Sequence, residues 1–241
     1  MKKNKRLEKY KKQFWNLTDK LSNYFVNIDS YEERLEIFKT TWIPALEQIR
    51  GSFIKELCTD REFRRDTFAY LTETEDYMLW FNALLSSPDQ RKFGGSEKDI
   101  PFILYPYQVV ILGLSDHFNL ALLKSRDIGA SQVFSGKGSF KLSIAKKYEC
   151  LYLSERRDKV DISGDRTQTL MGRVRRFLES TKIIDTSKFY IDKFLHLWRD
   201  KECKIDGAAM TATTANSSRY MEIVGDEFGL IALGDLHHRR H

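Results

Sequence analysis

Apolar residues recur at three- and four-residue intervals through the N-terminal part of the chain. Leu7, Tyr10, Phe14, Leu17 and Leu21 share one side of a single amphipathic helix within residues 1–30. Leu35, Phe38, Trp42, Ala45, Leu46, Ile49, Phe53 and Leu57 continue the spacing over 31–58. Ser30 followed by Glu33 is a capping-box signal at its start. Pro44, inside the pattern, predicts a kink or a division. Phe63, Phe68, Leu71, Met78, Phe81 and Leu85 extend the helical period over 60–86, and aromatics so spaced make a helix–helix core rather than a cofactor box. Residues 87–99 break the pattern and predict a loop, with a boundary at Gly94-Gly95. The expected organisation is a helical N-terminal region over 1–95 and a second domain over 96–241.

From residue 100 the period changes. Residues 101–104 form an extended entry to a helix whose first turn holds Pro106. Residues 119–123 predict a buried strand. A helix starts near Ser131, and Gly136-Lys137-Gly138-Ser139 interrupts it. Residues 148–153 predict another strand, 165–180 a helix, and 188–198 a helix or a mix of strand and helix. Residues 203–205 and 208–213 predict short strands of a hairpin turning at Asp206-Gly207, and 220–224 a last strand. Strands alternating with helices predict an α/β fold: a mainly parallel sheet with helices on both faces, preceded by the all-helical region.

Charge and cysteine usage narrow the function classes. The formal net charge is +6 over 241 residues, which admits a nucleic-acid partner without requiring one. Lys2, Lys3, Lys5, Arg6, Lys9, Lys11 and Lys12, interleaved with Tyr10, Phe14 and Trp15, form either a nucleic-acid-contacting arm or a solvated basic helix face. Arg166, Arg173, Arg175 and Arg176 are either DNA or subunit-interface contacts or a solvated helix face. The three cysteines, Cys58, Cys150 and Cys203, are far apart and form no C-x-x-C pair, which argues against a zinc knuckle or a disulfide framework. A reducing compartment is the expectation. No apolar segment follows the basic start, so no signal peptide is expected. No run approaches the ~18 apolar residues of a membrane span.

The chemistry gathers around Lys124-Ser125-Arg126-Asp127-Ile128-Gly129-Ala130-Ser131. An apolar run, a cationic turn, a glycine, a hydroxyl and a helix start make the layout of a phosphate cradle, because backbone N–H groups and the helix dipole face an anion there. The standard G-x-x-x-x-G-K-[ST] pattern is altered: Lys124 replaces its first glycine and Ala130 its lysine. About a hundred residues later, 221–227 is an apolar strand ending in Asp226-Glu227. A nucleotide hydrolase needs one carboxylate there for magnesium and one to polarise water. Upstream, Gln108 has an amide that can read adenine, and Tyr107 a ring that can stack on it. Gly136-Lys137-Gly138 is a rival lysine site, but Gly138 stands where a hydroxyl is expected.

The run from Leu123 to Phe134 resembles the phosphate loop of large terminase subunits, the DNA-packaging ATPases of tailed bacteriophages. The resemblance covers roughly residues 100–230. It implies that Lys124, or Arg126 as second candidate, is the phosphate cation. Ser131 and Asp226 become the magnesium ligands and Glu227 the catalytic acid. Gln108 and Tyr107 take the adenine side, with Ser125, Ile128, Gly129 and Ala130 completing the ATP cradle. Tyr152-Leu153-Ser154 is similar to the family's second strand, and Ser217-Ser218-Arg219 to its approach to the acidic strand. ATP and Mg2+ are the implied cofactors. Double-stranded DNA, a small terminase subunit, a portal or procapsid and further copies of the chain are the implied partners, in the host cytoplasm and without a membrane. Asp127 departs from the family, which commonly has glutamine there. The family also continues beyond the acidic strand into a nuclease domain, whereas this sequence stops at His241, so a product truncated before that domain is expected. His237, His238 and His241 are interrupted by Arg239 and Arg240 and are expected to be a frayed tail rather than a metal site. Two other functions stay open: a non-catalytic binding or assembly module, and a helicase-like phosphate-loop ATPase.

Overall fold

Helix α1 (Lys5–Val26) buries Leu7, Tyr10, Phe14 and Thr18, one stripe at helical spacing. The computed structural model describes residues 4–28, 30–88, 99–122, 129–165, 168–181, 190–210 and 219–226. It divides into two compact units, Met1–Arg126 with Ser180–Ile183, and Asp127–Glu179 with Ile184–His241. Residues 96–126, expected with the second domain, fall in the first unit.

In the first unit α2 (Tyr31–Ile37) starts where expected, with the Glu33 N–H donating to Ser30 Oγ. Pro44 divides the next stretch. Having no N–H, it cannot donate to the carbonyl one turn back. The chain widens instead into a π-helical turn at Phe38–Trp42, where the Ile43 N–H reaches back to Phe38, before α3 (Ile43–Thr59). The helical pattern over 60–86 is two helices, α4 (Arg61–Thr74) and α5 (Tyr77–Leu84). Asp60 and Asp76 cap them by accepting from the N–H groups of Phe63 and Leu79, each at 2.9 Å. Phe14, Phe53, Phe63 and Tyr10 pack edge to face or tilted, with centroids 5.2–6.0 Å apart, so these aromatics are core. The expected loop is bracketed by a short antiparallel pair, β1 (Ser86–Pro88) and β2 (Asp99–Pro101); residues 89–98 lie outside the described residues. Helix α6 (Pro106–Ser115) begins on Pro106 as expected. The strand expected at 119–123 is absent over 119–122, where Leu120 and Leu122 are exposed; residue 123 is outside the described residues.

The second unit holds a mixed five-stranded sheet in the order β4-β5-β6-β3-β7. Helix α7 (Ala130–Ile144) comes first and runs unbroken through Gly136-Lys137-Gly138. These glycines do not end it; a Cβ on Gly138 would stand 2.2 Å from the Tyr152 hydroxyl, so the residue lets helix and strand approach. Then come β3 (Tyr148–Ser154), the short α8 (Arg157–Val160) and α9 (Leu170–Ser180). Residues 190–198, expected to be partly helical, form an antiparallel hairpin of β4 (Ile191–Lys193) and β5 (His196–Trp198). The hairpin expected at Asp206-Gly207 is one continuous strand, β6 (Cys203–Ala209). Strand β7 (Glu222–Gly225) lies at the end of the sheet. β6, β3 and β7 are mutually parallel, while β4, β5 and β6 are antiparallel, so the sheet is mixed rather than mainly parallel.

One face of this sheet buries Tyr148, Cys150, Tyr152, Cys203, Ile205 and Leu197 against Leu142 of α7 and Met171, Val174 and Leu178 of α9. The other face carries a polar ladder: Glu149 to Lys204 at 3.3 Å, Lys204 to Asp206 at 3.7 Å, and Asp206 to His196 at 2.7 Å. Among the described residues no helix is long and apolar enough to cross a membrane.

Candidate nucleotide and metal site

The site assembles at the carboxyl ends of β3 and β7. Gly129, the residue before α7, has φ 75°, a left-handed conformation that suits glycine and turns the chain into the helix. Ala130 and Ser131 are then the first two helical residues. On the other side, β7 delivers Asp226 just past its last residue, where the Asp226 N–H donates to the Leu153 carbonyl at 2.9 Å. Ser131 Oγ donates to Asp226 Oδ2 at 2.6 Å. Two residues 95 positions apart thus meet at the helix N-terminus.

This pair fits a hard divalent cation. Magnesium takes oxygen ligands at about 2.1 Å in octahedral geometry, which puts neighbouring ligand oxygens about 3 Å apart. A hydroxyl and a carboxylate oxygen at 2.6 Å need to part only slightly to occupy adjacent positions. Among the described residues no group of three or more His, Cys, Asp or Glu side chains could hold a metal alone. One carboxylate with a hydroxyl suits an ion that also coordinates phosphate and water.

Lys124, Ser125, Arg126, Asp127, Ile128 and Glu227 lie outside the described residues, as do Arg166, Ser217, Ser218 and the histidine tail. Gln108 and Tyr107 belong to the first unit. Gln108 is buried; its Oε1 accepts from the Tyr105 N–H at 3.0 Å, and its Nε2 lies 3.4 Å from the Tyr107 hydroxyl. That oxygen completes the capping box of α6. Tyr107 is exposed, and its ring stacks on Tyr105 with centroids 5.8 Å apart.

The rival lysine has another task. Lys137 is only 2% exposed, and its Nζ lies 2.7 Å from Glu222 Oε1. Tyr148 donates its hydroxyl to Glu222 Oε2 at 2.8 Å. Lys137, Glu222 and Tyr148 therefore tie the middle of α7 to β7 and β3, and the ammonium is not presented to a ligand. Burial holds the Tyr148 phenol well above its ordinary pKa, reinforced by Cys150 and Glu222, so it remains the donor at neutral pH.

Of the arginines read as DNA or subunit-interface contacts or as a solvated helix face, one on α9 is buried. Arg175 is buried, donates to both oxygens of the fully buried Asp161, and lies 2.7 Å from Asp192. Arg173 and Arg176 are half-buried. Arg173 Nε is buried and has no hydrogen-bond partner among the described residues. Burial lowers the pKa of Arg173, opposed by attraction to Asp226 and then Asp165. Asp165 anchors the start of α9: its Oδ2 accepts from the Thr169 N–H and hydroxyl, each at 2.7 Å. The Asp165–Thr169 spacing ahead of an amphipathic run was a readable cap signal.

On α1, Lys5, Lys9, Lys12 and Lys20 are exposed and run along the side opposite the buried stripe. Arg6 instead pairs with Asp60 at 2.8 Å and Lys11 with Glu8 at 2.9 Å. Neither family models nor curated proteins give a match to this chain.

Proposed function

We propose that the second unit binds magnesium-ATP at the carboxyl ends of β3 and β7 and hydrolyses it, as the ATPase segment of a terminase-type DNA-packaging motor. The observation that carries this reading is the Ser131–Asp226 hydrogen bond, which brings together the two ligands that the sequence pattern assigns to magnesium. The N–H groups around Gly129, Ala130 and Ser131 face the phosphates, with the left-handed turn at Gly129 exposing them. Lys124 or Arg126 supplies the phosphate cation, and Ser125 and Ile128 complete the loop. Glu227, next to Asp226, orients the attacking water and takes its proton. Bound magnesium supplies charge neutralisation on the phosphate oxygens. The family resemblance assigns Gln108 and Tyr107 to the adenine. Double-stranded DNA, a small terminase subunit, a portal or procapsid, a ring of identical copies and the host cytoplasm follow from the family resemblance. The exposed lysine row of α1 is the basic surface that suits a DNA backbone.

A second reading, a nucleotide-binding or assembly module without turnover, is favoured by one observation: residues 119–122, ahead of the phosphate turn, do not form the strand that such a turn usually follows. Hydrolysis separates the two. Phosphate release is measured with magnesium and ATP for the wild type, Glu227→Gln, Lys124→Ala and Arg126→Ala. The motor reading expects wild-type turnover, a loss on the order of 10²–10⁴-fold in Glu227→Gln with binding retained, and loss of binding in one of the two cation variants. A wild type that binds ATP without turnover selects the second reading.

A further inference from the structure

We infer that helix α1 holds single-stranded nucleic acid, with Lys5, Lys9 and Lys12 on its phosphates and the Trp15 ring stacked on one of its bases. This goes beyond the proposed motor, whose track is duplex DNA, and it does not depend on the magnesium-ATP site. The basic residues of α1 fall into two groups. Arg6 lies 2.8 Å from Asp60 and 3.6 Å from Glu56, and Lys11 lies 2.9 Å from Glu8 with its ammonium 4.0 Å from the centre of the Tyr70 ring. Those two charges are answered within the fold. Lys5, Lys9, Lys12 and Lys20 are exposed and make no ion pair within 4.0 Å among the described residues. At about 100° per residue, Lys5, Lys9 and Lys12 fall within a sector of about 60°. Three like charges thus stand together in water, where a phosphate backbone neutralises them and releases its counterions.

Trp15 is the second observation. Trp42 and Trp80 are buried and Trp198 is half-buried, whereas Trp15 is 49% exposed. It follows Lys12 by three residues and so adjoins the lysine row. Cations that track a backbone beside a ring that takes the π-face of a base make a single-strand grip. Bases inside a duplex are already stacked on their neighbours and offer no such face. A lipid surface fits less well, because an interfacial helix needs its apolar side free. Here that side is taken up inside the protein, with Leu7, Tyr10, Phe14 and Thr18 buried. The acidic residues of α1 are Glu8 and Asp19. Glu8 is held by Lys11. Asp19 is exposed one turn beyond Trp15, so it ends the row at Lys12 and sets Lys20 apart.

The test is fluorescence anisotropy of a labelled thymidine oligonucleotide of about 20 nucleotides, alone and paired with its complement, titrated with the full chain at several salt concentrations. The chains are the wild type, Trp15→Ala, Trp15→Phe and the Lys9→Ala, Lys12→Ala double variant, all at exposed positions, with circular dichroism recorded for each. The single strand should bind more tightly than the duplex. Trp15→Ala should weaken single-strand binding by about 5- to 150-fold and leave duplex binding within about twofold of wild type, with Trp15→Phe recovering part of the loss. The logarithm of the single-strand binding constant should fall with the logarithm of salt at a slope of about −2 in the wild type and about −0.7 in the lysine double variant. Duplex binding as tight as single-strand binding, an unchanged affinity in Trp15→Ala, or binding to phosphatidylserine vesicles without binding to the oligonucleotide overturns the inference. ATP binding and turnover measured on the same samples report on the magnesium site, so either proposal can fail without the other.

Discussion

Asp161→Ala is expected to destabilise the second unit by about 3–5 kcal/mol, the range for removing one partner of a buried ion pair. Asp161 is fully buried; it receives both Nη groups of Arg175, and its Oδ2 also accepts the Leu195 N–H at 2.6 Å. Leu195 sits at φ 62°, a left-handed conformation unusual for leucine, and Asp161 holds it there. Without this carboxylate the Arg175 guanidinium keeps only Asp192, whose side chain is 40% exposed. Asp192→Ala should therefore cost under about 1 kcal/mol. Urea unfolding followed by circular dichroism checks both. A loss below about 1 kcal/mol for Asp161→Ala contradicts the assignment of this pair as the pin between α9 and the β4–β5 hairpin.

Lys137→Met should cost a similar amount, about 3–5 kcal/mol, because it leaves the mostly buried Glu222 with Tyr148 but no cation. Adding Glu222→Gln removes the stranded charge and should recover part of the loss, a coupling that a double-mutant cycle measures. The functional outcome is as informative as the stability. If Lys137 ties α7 to β7, the folded Lys137→Met, Glu222→Gln double variant binds ATP about as well as wild type, whereas the cation variants at Lys124 or Arg126 do not. Loss of ATP binding in a well-folded double variant would return Lys137 to the role of phosphate cation.

Local signals were readable where local chemistry decides. The Ser30 cap and the Pro106 start depend on a few neighbouring residues, and Pro44 acts on the turn before it. Signals failed where distant atoms override them. Asp206-Gly207 has the composition of a turn, yet a Cβ on Gly207 would stand 2.7 Å from Val160 and 2.8 Å from Met171. That glycine is small for packing, not for turning. Asp206 in turn accepts from His196 and from the Tyr220 hydroxyl, so its carboxylate has partners in the sheet. The β4–β5 hairpin was invisible because its turn uses Phe194 and Leu195, with no glycine or asparagine to announce it. The burial of Arg175 was not legible because nothing in its own helix reveals Asp161.

The site divides the same way. Ser131 and Asp226 stood out in the sequence, one opening a helix and the other ending a strand, and their meeting at 2.6 Å depends on β7 pairing in parallel with β3. The lysine row of α1 was legible as basic; which lysines lie opposite the buried stripe required the helix bounds.

The most direct measurement is calorimetric titration of ATP into the folded wild type, with magnesium and then with chelator, repeated on Ser131→Ala and Asp226→Asn. A magnesium site at these two side chains predicts wild-type binding that tightens with magnesium, and a magnesium-dependent gain reduced at least about tenfold in Asp226→Asn. Ser131→Ala should show a smaller loss. Absence of ATP binding by folded wild type, or an undiminished magnesium effect in Asp226→Asn, would contradict it.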